Sequence, residues 1–188
     1  CRRLFAGGLV LLALLACSAG IALHSQQETR QKTLDAGTKL IETTYVSRAK
    51  LEQALLADWP PEAVDWTMDE LADTDWEAEA AEAALDLGSG RTISEEALRQ
   101  DLRELEFTAG QSESALDNVR SGIDYDAHAR SALELCAADR NGYITRPEGR
   151  SRLREALFTE DQIRMALESD TVSWQKAARS HADTLLEE

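Results

Sequence analysis

Leu102-Arg103-Glu104-Leu105-Glu106-Phe107-Thr108 and Leu153-Arg154-Glu155-Ala156-Leu157-Phe158-Thr159 are one seven-residue phrase repeated with five identities, 51 residues apart. Working outward from it, residues 73–116 slide onto 124–167 without a gap and share fourteen identities in 44 positions. Chance would give about three or four, so the chain carries a duplicated structural unit. The matches include Asp73/Asp124, Asp75/Asp126, Ile93/Ile144, Arg99/Arg150 and Gln111/Gln162. The phrase also contains helix-start chemistry. Thr108-x-x-Gln111 and Thr159-x-x-Gln162 are capping boxes, in which two side chains satisfy backbone donors at a helix start. Thr145-x-x-Glu148 is a third, with Pro147 in the first turn, where its missing donor does no harm. Asp73-x-Asp75 and Asp124-x-Asp126 read as N-caps or as cation contacts.

The composition is rich in Ala, Leu and Glu, with three prolines and little strand-like alternation. The expected class is therefore all-α. Helices are expected near 75–87, 94–107, 111–120, 126–138, 146–157 and 160–186. The domain plan is an anchor over 1–24, a helical stalk over 25–59, an acidic Pro/Trp linker or short helix over 60–72, and a duplicated domain over 73–188 (repeats 73–123 and 124–174).

Leu4–Leu23 is twenty residues without a charge. At 1.5 Å per residue that matches a hydrocarbon core of about 30 Å. Arg2 and Arg3 precede it, and the next Lys or Arg is Arg30. The positive-inside rule then leaves the N-terminus cytoplasmic and the bulk of the chain across the membrane, in periplasm or organelle lumen. Gly7, Gly8, Ala16 and Gly20 suit close packing against other membrane helices. Two readings compete: a cleaved signal peptide, and a lipoprotein acylated at Cys17, since Leu14-Leu15-Ala16-Cys17 is lipobox-like. Beyond the anchor, Leu34, Ile41 and Leu55, with Thr44 and Leu51 beside them, form a loose stripe. With no breaker in between, one rod is expected from about Arg3 to Asp58, ended by Trp59-Pro60-Pro61.

The chain carries a net charge of −15, and −17 once Arg2 and Arg3 are set aside. Nucleic acid and anionic lipid are thereby excluded as main partners. Residues 51–90 hold twelve acids, no Lys or Arg, and Trp59, Trp66 and Trp76. This is either a solvated face over core tryptophans or a docking surface for a basic partner. Arg146, Arg150 and Arg154 recur every four residues and read as a solvated row paired with Glu148 and Glu155, with an anion site as the alternative. Cys1, Cys17 and Cys136 give neither a disulfide framework nor metal-ligand spacing. His24, His128 and His181 are far apart, and no nucleophile–base, P-loop or dinucleotide motif is present. No enzyme activity is expected.

Asp139-Arg140-Asn141-Gly142-Tyr143-Ile144-Thr145-Arg146-Pro147-Glu148, followed by Phe158-Thr-Glu-Asp-Gln-Ile, resembles a calmodulin-type EF-hand running into the next hand. The resemblance implies four degenerate EF-hand-like units in two pairs across about 75–186. Ile93 would face Ile123, and Ile144 would face Val172. It also implies a calcium loop at 137–148, with ligands Asp139, Asn141, the Tyr143 carbonyl, Thr145 and Glu148. Ala137 stands where the first ligand belongs, so weak Ca2+ binding is expected. Asn-Gly entering a capped helix is also an ordinary turn. Phe-Thr-x-x-Gln, present twice, is similar to the Leu-Thr-x-x-Gln motif of periplasmic helical chaperones of the Spy and CpxP type. The expected function is that of an accessory or adaptor subunit of a membrane complex. The alternatives are a weak calcium sensor and a periplasmic chaperone or stress sensor.

Overall fold

A computed structural model of the chain describes residues 24–139, 144–170 and 172–174. Every regular element among them is helical, as the composition and caps require. The chain divides into two compact units between Asp75 and Trp76.

In the first unit, α1 runs through 24–43, α2 is Arg48–Asp58 and α3 is Pro61–Glu70. The expected rod is broken. Residues 44–47 leave the helix, and Ser47, extended at ψ 164°, accepts a hydrogen bond from the Lys50 N–H to start α2. The break has an energetic reason. It lets Leu51 and Leu55 turn inward and become almost fully buried, which a solvent-exposed rod would deny them. A Cβ placed at Gly37 of α1 would stand 3.3 Å from Thr67 of α3 and 3.5 Å from Leu55 of α2, so the three helices converge there. Trp59 ends α2 in an extended conformation, as a residue before proline should. Pro61 opens α3, which lies within the 60–72 segment.

In the second unit, α4 (Trp76–Ser89), α5 (Glu95–Glu104) and α6 (Ala109–Val119) form one three-helix repeat. Helices α7 (Tyr125–Asp139), α8 (Arg146–Glu155) and α9 (Glu160–Glu168) form the second. Each has its own apolar core. Leu98, Leu102, Phe107 and Leu116 fill the first, and Leu133, Leu153, Phe158 and Ile163 the second. Two of the three expected capping boxes are observed, Thr108 with Gln111 and Thr159 with Gln162; at Thr145 the hydroxyl accepts from the Glu148 N–H. Asp124 Oδ1 accepts from the Ala127 N–H at 2.8 Å. The final helix is shorter than expected. Ser169 adopts an extended conformation and closes α9 at Glu168.

The duplicated phrase is a Schellman turn. Phe107 N–H donates to Leu102 O and Glu106 N–H to Arg103 O; Phe158 and Leu157 repeat the pattern with Leu153 O and Arg154 O. Glu106 and Leu157 both sit at φ 62°, the left-handed region that glycine enters without a Cβ penalty. Glu106→Gly is expected to stabilise the domain by relieving a left-handed penalty of about 1–2 kcal/mol, less the freedom that glycine adds to the unfolded chain. Leu157→Gly should gain less, because Leu157 is half-buried and loses apolar contact. Thermal unfolding of the two variants checks the order.

The two repeats also touch. Ser94, the buried N-cap of α5, accepts from the Ala97 N–H and donates to the carbonyl of Ala156 at the end of α8 (2.8 Å). The imidazole Nδ1 of His128 lies 3.0 Å from Ile93 O and 3.4 Å from Ile93 N. Among the described residues no strand or β-bridge joins Ile93 to Ile123 or Ile144 to Val172. Each pair is instead buried within one core.

Candidate functional site

The loop 137–148 joins α7 to α8. Asp139 is the last residue of α7. Thr145 is the N-cap of α8, and its hydroxyl accepts from the Glu148 N–H at 3.3 Å. Thr145 and Glu148 therefore lie within one helical turn. Asn141 and Tyr143 fall outside the described residues. Ala137, at the place of the first ligand, is buried and brings no side-chain oxygen. Among the described residues no three His, Cys, Asp or Glu side chains gather as a metal site. What is visible is a helix–loop–helix junction with acidic or hydroxyl donors at its two ends. Asp139, Thr145 and Glu148 are oxygen donors of the kind a hard cation takes.

The acidic segment spans α2 to α4, and Trp59, Trp66 and Trp76 are each half-buried, neither core residues nor fully displayed. The Arg30 guanidinium lies over the Trp66 ring, 5.8 Å from its centre, a cation–π contact. The core of α4 is built from Ala80, Ala83 and Ala84, while Leu85 is 53% exposed.

The arginine row of α8 departs from expectation. Arg154 reaches Glu160 of α9 at 2.5 Å rather than its own helix. Arg152, not part of the row, pairs with Glu155. Arg146 and Arg150 line a cleft of about 300 Å³ between α8 and α9, with Arg164, Glu168, Pro147 and Leu167. Arg146 stacks on Trp174 with 5.4 Å to the ring centre. Neither Arg146 nor Arg150 has a carboxylate within ion-pair distance among the described residues.

The corresponding surface of the first repeat is closed. Arg99 binds Glu113 at 2.8 Å, Glu95 at 3.3 Å, and Glu96. The hydrogen bond to Glu113 holds the Arg99 pKa above its ordinary value, and the Arg99 guanidinium holds the Glu113 carboxyl below its own. Glu95 also reaches Arg120 at 2.9 Å. Cys136 is half-buried, and burial pushes its thiol upward, away from the reactive thiolate. His181 and the Leu4–Leu23 segment fall outside the described residues. Among those described, no helix is long and apolar enough to cross a membrane.

No protein-family model matches the chain, and neither a curated protein nor a solved structure is significantly similar to it.

Proposed function

We propose that this chain is a non-enzymatic accessory subunit of a membrane protein complex, and that its duplicated helical domain works by protein–protein contact. Leu4–Leu23 would anchor it, with the domain on the extracytoplasmic side. One observation carries the reading. The two repeats keep the same scaffold, down to N-caps, capping boxes, left-handed turns and the core phenylalanines, while their surfaces carry different charges. A duplicated unit whose interior is retained and whose exterior diverges is suited to binding two different surfaces. A photoreactive residue at Leu85 in the full chain, activated in native membranes, should give one discrete protein adduct. Adducts with lipid alone would contradict the proposal.

A second reading has support from the 137–148 junction, where Asp139 closes one helix and Thr145 and Glu148 open the next. Here the loop is a weak calcium site of degenerate EF-hand ancestry, using Asp139, Asn141, Tyr143, Thr145 and Glu148. Calorimetric titration of the full chain should then give a Kd of about 10⁻⁴–10⁻³ M, lost in Glu148→Gln. No heat up to several millimolar calcium would contradict this reading.

A further inference from the structure

The differences between the two repeats are as informative as the identities. Six positions of the first repeat form an internally ion-paired cluster: Glu95, Glu96, Arg99, Glu113, Asp117 and Arg120. Their counterparts 51 residues later are Arg146, Pro147, Arg150, Arg164, Glu168 and Thr171. Two arginines among four carboxylates become three arginines beside one. The central arginine is retained, but the three acids that bind Arg99 are replaced by two arginines and a proline.

This exchange opens a space. Arg99 is only 16% exposed under its carboxylates, whereas Arg150 is exposed and borders the cleft of about 300 Å³. Arg164 is held by Asp161 (3.2 Å) and Glu168 (3.7 Å), both on its own helix and both exposed. Arg146 and Arg150, one helical turn apart, repel each other. Leu98 of the first core is matched by Gly149, where an added Cβ would stand 2.8 Å from Leu133 and 3.6 Å from Trp174. The glycine lets α8 pack closely on Leu133 and Trp174, while Pro147 and Leu167 give the cleft an apolar wall beside its charged ones.

We propose that this cleft binds a carboxylate side chain presented by a short acidic segment of a partner protein. The incoming group would take the place that Glu113 fills in the first repeat. That internal pair is the template: a carboxylate oxygen 2.8 Å from the guanidinium of the retained arginine. Guanidinium groups bind carboxylates through paired N–H donors, and Pro147 and Leu167 would cover the methylenes of a Glu side chain. The cleft volume suits one or two side chains rather than a long polyanion, which would run onto the acidic remainder of the chain. The inference goes beyond the accessory-subunit reading, because it assigns a partner chemistry to one surface and stands or falls without the membrane anchor.

The test is a nuclear magnetic resonance titration of the full chain in non-ionic detergent, following the arginine Nε–H and Trp174 indole resonances. The probe is N-acetyl tetraglutamate amide, and inorganic phosphate is titrated separately. Saturable shifts at Arg150, Arg164 and Trp174 that weaken as salt is raised are expected. Arg164→Glu should rebuild the internal pair of the first repeat, keep the helical content and weaken peptide binding at least tenfold. Arg150→Gln is the second variant, with the same expectation. No saturable shift with the peptide, shifts indifferent to both substitutions, or binding of phosphate without the peptide would each overturn the assignment.

Discussion

Phe158→Ala is expected to destabilise the second repeat by about 3–5 kcal/mol, the usual range for removing a buried aromatic side chain. Two roles combine at this residue. Its ring is 6% exposed and belongs to the core with Ile144, Leu153 and Ile163. Its N–H also closes the Schellman turn on Leu153 O at 3.0 Å, which fixes the angle between α8 and α9. Alanine keeps the backbone hydrogen bond but loses the apolar contact that accompanies it, so the turn should loosen as the core empties. Hydrogen exchange on the full chain should show protection falling across 125–168 before 76–119. A loss below about 1 kcal/mol, outside that range for a buried aromatic, would mean that Phe158 does not organise this core.

Leu55→Ala is expected to cost the first unit about 2–3 kcal/mol, the lower part of the range for a buried leucine. Leu55 is 1% exposed and packs where α1, α2 and α3 converge at Gly37. The reason for the lower figure is next to it. Thr67 reaches the same point with its methyl group, and its buried hydroxyl, on the same Cβ, has no hydrogen-bond partner among the described residues. A cavity beside that hydroxyl can admit water, which would satisfy it and offset part of the lost packing. Adding Thr67→Val to Leu55→Ala removes this relief, so the double variant should lose more than the sum of the two single ones. Additive losses, read by denaturant unfolding of the full chain, would contradict the account.

Much of the second unit was legible because its signals are local. A threonine followed three residues later by glutamine specifies a helix start wherever it occurs, and both capping boxes appear where the spacing placed them. The break at 44–47 was not legible. It contains neither proline nor glycine, and the turn at Ser47 goes with the burial of Leu51 and with the packing of Leu55 on α1 at Gly37, which is tertiary information. The Arg146/Arg150 row was visible as a helical face, but its environment was not. Arg164 comes from the next helix, and the reason these arginines differ from Arg99 lies in carboxylates absent from the second repeat. The 137–148 loop was legible as a junction, and the structure places Asp139, Thr145 and Glu148 at its ends.

The central claim is that the domain acts by holding another protein. Its most direct test is the mass of the native particle: the full chain, purified from its own source in mild detergent, measured by native mass spectrometry or by light scattering corrected for detergent. The account predicts a particle heavier than the 20.7 kDa of this chain, containing a second protein in fixed stoichiometry. A lone monomer with no stable companion would contradict it.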